Sequence, residues 1–261
     1  MSLAAHIQAY QGFILDLDGV VYLRKFVVPG APRFVEELKA GGKKFVFLTN
    51  NSSRTRDEYA EILSGFGIDV DRDQIVTSGY ATCLHILRRK PKARIHVVGE
   101  KGLLQELSSA GFRIVKKPPA DYVVVGIDRH FTYCKLALAA HTIRQGARFV
   151  STNRDATYPT EDGPYPGAGS IVAAVQTASG KRPTDIGKPN RAIFDMCRVI
   201  LGTPPGKTVV IGDRIETDIL GGQRAGMHTI LVLSGVTTLG QLRPGKVRPD
   251  LVVGSVADLL A

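Results

Sequence analysis

The sequence predicts an α/β protein: a Rossmann-like, doubly wound parallel sheet with a second, smaller α/β domain inserted into it. Two observations carry this. Apolar runs of strand length alternate with segments of helical period, the pattern of a mainly parallel sheet. One set of these runs stops near residue 80 and resumes only at "DIGKPN", so the stretch between reads as an insertion. The expected boundaries are 1–79 and 183–261 for the core and 80–182 for the insert, with Gly79 and "SGKRPT" as hinges. With 261 residues, 44% of them hydrophobic, there is material for a core in each part.

Taken in order, the core opens with "FILDLD" (13–18), an apolar strand carrying two acids. A helix near 31–40 leads to the strand "KFVFLT" (44–49), then a helix near 54–65 and a short strand in "DQIVTS". After the insert come a helix near 190–201, the strand "TVVIGD" (208–213), a helix near 216–225, the strand "HTILVL" (228–233) and a short one in "PDLVVG". The insert holds the strands "RIHVVG", "FRIVKK", "DYVVVGI" and "RFVST", with helical segments near 101–110, 132–146 and 168–179.

The formal charge of +10 suits an anionic partner or substrate, but the 34 Lys and Arg are scattered along the chain. The densest cluster, "RRKPKAR" (88–94), reads as a solvated helix-to-strand loop; with no aromatic residues interleaved, a nucleic-acid partner is not expected. Cys83, Cys134 and Cys197 are far apart and have no zinc spacing, which fits a reducing cytoplasm. No apolar stretch approaches membrane-spanning length and the start lacks a signal pattern, so no membrane partner is expected. The six histidines form no metal spacing, and Gly99 with Gly102 in "HVVGEKG" reads as a strand-to-helix turn.

In open parallel sheets ligands bind beyond the carboxyl ends of the strands, so the polar residues closing the apolar runs are the places to look for chemistry. Asp16 and Asp18 leave the same face of the first strand and repel unless a cation lies between them or one is protonated. Thr49 closes the second strand, followed by Asn50, Asn51 and Ser52; Asp213 closes "TVVIGD"; Lys188 precedes a helix in "GKPN". Singly these have plainer readings: a helix N-cap for Thr49, Asn50 and Ser52, a surface lysine, a cap at Asp213. Together they have the parts for phosphoryl transfer, which is mostly positioning and charge neutralisation. Asp16 and Asp213 are expected to hold a hard divalent cation, Mg²⁺, with Asp218 in the second shell; Thr49 and the neighbouring amides donate to phosphate oxygens, and Lys188 adds a point charge.

"DLDGV", "LTNNS", "GKPN" and "GDRIETDI" stand in the order and approximate spacing of the four motifs of the haloacid dehalogenase (HAD) superfamily. Within it the chain resembles the NagD-like and p-nitrophenylphosphatase-like phosphatases, whose cap is inserted between the second and third motifs; residues 152–175 resemble that branch's cap too. The resemblance implies an Mg²⁺-dependent phosphatase of small phosphate monoesters. Asp16 would be the nucleophile that becomes a phosphoaspartate, and Asp18 the general acid and then base. Asp18 would also offer its backbone carbonyl to Mg²⁺ beside Asp16 and Asp213, and Thr49 and Lys188 would bind the phosphoryl group. Two steps need two carboxylates: one proton goes to the leaving oxygen, and one then comes from the attacking water. Val20 stands where many relatives carry Thr, and Glu216 where this branch often carries Asp; neither removes a required charge. A flap over 21–28 would shield the site.

Cap residues choose the leaving group in such a fold. In "STNRDATYP", Asn153, Asp155 and Thr157 are candidates, against plain turn preference. Nucleotide, sugar, glycerol and pyridoxal phosphates are all compatible substrates, and a homodimer is compatible with the sequence. Two competing readings are a phosphoaspartate switch, which Asp18 would undermine by hydrolysing its own signal, and a non-enzymatic anion or nucleic-acid binder, which leaves the carboxylates unexplained. Dehalogenation would not need Mg²⁺, and Asp213 with Lys188 suits phosphate better.

Overall fold

The structure is a computed structural model that describes residues 3–242 and 247–261. In chain order its elements are β1 (Gly12–Asp16), β2 (Tyr22–Leu23), β3 (Phe26–Val27), α1 (Ala31–Ala40), β4 (Lys44–Thr49), α2 (Arg56–Gly65), β5 (Ile75–Thr77), α3 (Ser78–Leu87), β6 (Arg94–Val98), α4 (Lys101–Ser109), β7 (Arg113–Ile114) and β8 (Tyr122–Val125). They continue with α5 (Tyr133–Arg144), β9 (Arg148–Ser151), β10 (Thr157–Thr160), β11 (Gly163–Pro166), α6 (Ala168–Ser179), β12 (Thr184–Asp185), α7 (Arg191–Leu201), β13 (Thr208–Gly212), α8 (Leu220–Arg224), β14 (His228–Val232) and β15 (Leu251–Val253). A π-helical turn, Ile215–Ile219, runs into α8.

The chain divides into two compact units. One comprises 1–49, 59–76 and 188–261; the other comprises 50–58 and 77–187. These boundaries differ from 79/80 and 182/183 because α3, a helix the sequence pattern does not announce, belongs wholly to the second unit and contains Gly79, and because the segment after Thr49 packs there as well.

In the first unit a six-stranded sheet has the order β15-β14-β13-β1-β4-β5. All five residues of β1 are buried, as a central strand covered on both faces requires. Side chains alternate across it: Phe13 and Leu15 join Phe45, Phe47, Phe34 and Leu38 of α1 and Tyr59 and Leu63 of α2 in one apolar cluster, while α7 packs on β1 and β4. Burying such a side chain contributes roughly 1.5–3 kcal/mol. From β1 the chain builds outward through β4, then returns to build through β13 on the other side, so the order reverses beside β1. Open α/β sheets place ligands at that point.

The second unit has a parallel five-stranded sheet, β12-β9-β8-β6-β7, and a separate antiparallel hairpin, β10 with β11. Val98, Val123, Val125 and Phe149 from the sheet pack with Ala139 and Ile143 of α5 and Val172 and Val175 of α6. The chain's positive excess is concentrated here: residues 77–187 hold sixteen Lys and Arg against eight Asp and Glu. Arg88, Arg89, Lys90 and Lys92 follow the end of α3, Arg144 ends α5, and Lys181 and Arg182 follow α6, where a cation complements the negative end of a helix. "RRKPKAR" is thus a helix-to-strand loop, with Lys90 and Arg94 paired to Asp121 at 2.7 and 3.2 Å.

Candidate active site

Parallel register brings the site residues together before any side chain is considered. Asp16 pairs with Leu48 across β1 and β4, so Thr49 lies one position beyond it; Leu15 pairs with Ile211 of β13, so Asp213 emerges just past the same level. Strands in a sheet are about 4.8 Å apart, so the three polar residues leave one edge as neighbours. All three are buried: Asp16 is 8% exposed, Thr49 and Asp213 2%.

Lys188, at the start of α7's approach, joins them. Its Nζ lies 2.8 Å from Asp16 Oδ1 and donates to Asp218 Oδ1 at 2.7 Å. Asp218 is in place because of the π-helical turn: its amide and that of Ile219 both bond back to the Arg214 carbonyl, and its Oδ2 accepts from the Arg214 amide and the Thr217 hydroxyl, each at 3.2 Å. A Cβ on Gly212 would sit 2.2 Å from that of Asp218, so a side chain is excluded there.

One oxygen from each of Asp16, Asp213 and Asp218 lies within 4.8 Å of the others. Three ionised carboxylates against one ammonium leave a net −2 in a buried space, which costs several kcal/mol unless it is neutralised. The titration behaviour reflects this strain. Burial holds the Asp16 carboxyl well above its usual range; Lys188 pulls it down, while Asp218 and Asp213 push it further up. Burial, then Asp218, pushes Asp213 to about 6 against the pull of the Val236 amide and Lys188. Burial opposes the charge of Lys188, yet Asp16 and Asp218 outweigh it and hold the ammonium above its ordinary value.

These residues fit a hard divalent cation. The donors are all carboxylate oxygens, the uncompensated charge matches, and Asp213 Oδ1 is buried with no hydrogen-bond partner among the described residues while Oδ2 accepts from the Val236 amide at 2.6 Å. Asp218, expected in the second shell, is a member of the cluster itself. The Asp18 side chain is not: its Oδ2 lies 3.5 Å from the Tyr22 hydroxyl, on the turn closed by the Gly19 amide bonding to the Tyr22 carbonyl at 2.7 Å.

The remaining candidates belong to the second unit and engage one another. Asn50 donates from its amide to both Asp155 oxygens, at 2.9 and 3.2 Å. Asn153 donates to the Asn50 carbonyl at 2.7 Å, and its own Oδ1 accepts from the Asp155 amide at 3.0 Å. Asn51 Oδ1 accepts from the Ser53 amide at 2.9 Å, a local turn. None of these is the cap of α2. Thr55 is: its hydroxyl accepts from the Glu58 amide at 3.1 Å and Glu58 Oε2 accepts from the Thr55 amide at 2.8 Å.

Sequence reasoning overlooked the loop after β14. Ser234 donates to the Gly19 carbonyl at 2.6 Å, and the Val236 amide holds Asp213. The signal was present, since "SG" closes an apolar strand as Asp16, Thr49 and Asp213 close theirs.

Comparison with known proteins identifies the family. Residues 13–113 match the family described as haloacid dehalogenase-like hydrolase, and residues 185–259 a second, HAD-hydrolase-like one. The 5'-nucleotidase YutF of Bacillus subtilis is 39% identical over 252 residues, which cover 97% of this chain and 98% of that protein. The crystal structure of a 4-nitrophenylphosphatase from Thermotoga maritima superposes with a TM-score of 0.93 at 36% identity, covering 98% of each chain. A glycerol phosphate phosphatase from Mycobacterium tuberculosis, solved in complex with magnesium, gives 0.90 at 32% identity, covering 99% of this chain and 78% of that one. With its motifs converging on one sheet edge and its likeness running the length of the chain, this protein belongs to the haloacid dehalogenase-like hydrolases, on the p-nitrophenylphosphatase-like and NagD-like phosphatase branch.

Proposed function

We propose that the protein is an Mg²⁺-dependent phosphatase of small phosphate monoesters that works through a phosphoaspartate on Asp16. The observation that supports this most is the buried set of three carboxylates around a single lysine, with Asp213 Oδ1 left for a cation. Asp16, Asp213 and Asp218 would hold the ion, with the Asp18 carbonyl as a further ligand. When bound, it neutralises negative charge on the phosphoryl oxygens and on the carboxylates.

In the first step a carboxylate oxygen of Asp16 attacks phosphorus, the bond from phosphorus to the ester oxygen breaks, and Asp18 protonates that departing oxygen. In the second, Asp18 takes a proton from water as its oxygen attacks phosphorus; the bond to Asp16 breaks, inorganic phosphate leaves and both carboxyls return to their starting states. Thr49 and the Asn50 and Asn51 amides orient the phosphoryl group, and Lys188 supplies positive charge beside Asp16. The unit built from 77–187 acts as the cap that selects the leaving group, with the Asn153–Asp155 segment contributing. Relatives named 5'-nucleotidase, acid sugar phosphatase and glycerol phosphate phosphatase support a small, polar leaving group. Free cysteines at Cys83, Cys134 and Cys197 support a cytoplasmic setting.

Phosphate release from p-nitrophenyl phosphate tests the reading. Activity is expected with Mg²⁺, is abolished by EDTA, and falls by at least about a thousandfold in Asp16→Asn. Undiminished activity in EDTA or in Asp16→Asn would sink it.

A further inference from the structure

We propose that the loop from Ser234 to Thr237 is a positioning device that holds the cation-binding carboxylate Asp213 and the turn carrying Asp18 in register, with Ser234 as its key side chain; this rests on the phosphatase reading above. The loop follows β14, the strand paired with β13 so that Leu231 lies opposite Gly212. That pairing brings it alongside Asp213.

Contacts run from this one loop to both parts of the site. On one side the Ser234 hydroxyl donates to the Gly19 carbonyl at 2.6 Å. Gly19 is the residue after Asp18, and its amide closes the Asp18 turn on the Tyr22 carbonyl at 2.7 Å. On the other side the Val236 amide donates to Asp213 Oδ2 at 2.6 Å and the Thr237 amide to the Asp213 carbonyl at 3.3 Å. A Cβ on Gly235 would lie 2.0 Å from Asp213 Oδ2, so only glycine lets the loop pass. With Oδ2 occupied, Oδ1 is the oxygen left for a cation, and it is buried with no hydrogen-bond partner among the described residues.

The two contacts divide the labour. Val236 and Gly235 orient the Asp213 carboxylate and so set cation affinity. Ser234 holds the backbone of the Asp18 turn and so sets where the proton donor stands. A shift of that turn by a fraction of an ångström lowers turnover more than it alters ground-state binding, because proton delivery depends on alignment in the transition state, while the Asp18 carbonyl is one cation ligand among several. The Ser234 hydroxyl is spent on the Gly19 carbonyl and is not one of the clustered carboxylate ligands, so its role is positional.

Three variants separate this from general loosening. In Ser234→Ala, kcat at saturating Mg²⁺ is expected to fall about tenfold, while KM for p-nitrophenyl phosphate stays within about twofold and the Mg²⁺ Kd from isothermal titration calorimetry rises by no more than about threefold. Ser234→Thr, which keeps the hydroxyl, restores kcat. Gly235→Ala weakens Mg²⁺ binding in the calorimeter by about tenfold or more, measured without substrate. The proposal is overturned if Ser234→Ala turns over like the wild type at saturating Mg²⁺, if its Mg²⁺ affinity falls by as much as its kcat, or if a folded Gly235→Ala binds Mg²⁺ as tightly as the wild type. Should Gly235→Ala not fold, the Ser234 pair decides. If the wild type releases no phosphate, the phosphatase reading fails, and the calorimetric comparison of Gly235→Ala with the wild type still decides the loop's hold on Asp213.

Discussion

Removing one charge from the carboxylate cluster should make the metal-free protein more stable, and the effect should depend on pH in a defined direction. Asp213 is 2% exposed and its carboxyl is raised from an ordinary 3.8 to about 6. A group whose folded-state value is raised binds its proton more tightly in the folded state. Its favourable contribution is therefore complete below about pH 4 and is lost as pH rises through 6. The gap corresponds to about 3 kcal/mol. Asp16 shifts in the same direction and adds to the slope; Lys188 stays charged throughout this range and adds none. Asp121 and Glu100 are shifted downward by their Arg94 and Arg129 partners and contribute with the opposite sign, so the raw stability of the wild type is not the right observable. The difference between wild type and Asp213→Asn removes them. An asparagine keeps an oxygen for the Val236 amide and places an amide where Oδ1 lies. In EDTA, urea unfolding should show the variant more stable by up to about 3 kcal/mol at pH 7.5 and little different at pH 4. Adding Mg²⁺ should stabilise the wild type and not the variant. A variant that is no more stable than wild type at pH 7.5 in EDTA, or a difference independent of pH, would refute the view that the cluster is electrostatically overfull without a cation.

Two further substitutions probe the supports of the site. Lys188→Met strips Asp16 and Asp218 of their shared cation and should cost about 3–5 kcal/mol in EDTA at pH 7.5, shrinking toward pH 4, as read from urea midpoints. Thr55→Ala removes the cap at the start of α2 and should cost about 1 kcal/mol, measured the same way, with the pH dependence of the parent.

Asp16, Thr49, Asp213 and Lys188 were legible because one rule finds the first three: a polar residue ending an apolar parallel strand stands at the ligand-binding edge. Their convergence depends on register, which such strands do not disclose: β1 and β13 are buried at every position and β4 at all but the first, so no alternation marks which residues stand level. Asp218 was harder to place. An ordinary helix from 216 was expected, and only a π-helical turn carries its carboxylate to Lys188; composition has no marker for that choice. Asn50, Asn153 and Asp155 show a different limit. Their residue types announce hydrogen bonding, but not that the donors and acceptors satisfy one another across about a hundred residues of sequence. α3 went unrecognised because Ser78 and Gly79 look like a break, whereas the Thr77 hydroxyl accepts from the Tyr80 amide and caps a helix that starts there.

The π-helical turn at Ile215–Ile219 also sets how this enzyme can tolerate change in length. Such a turn amounts to one residue more than the α-helix that would otherwise span the same distance. Deleting a single residue between Arg214 and Leu220 would let α8 extend as an ordinary helix, still packed beneath β13 and β14, while swinging each side chain before it by about 100° around the axis. The segment could lose a residue and remain a good helix, yet Asp218 would no longer reach Lys188. Substitution in this stretch is a question of chemistry; insertion and deletion are a question of phase, and the carboxylate cluster exists in only one of the available phases.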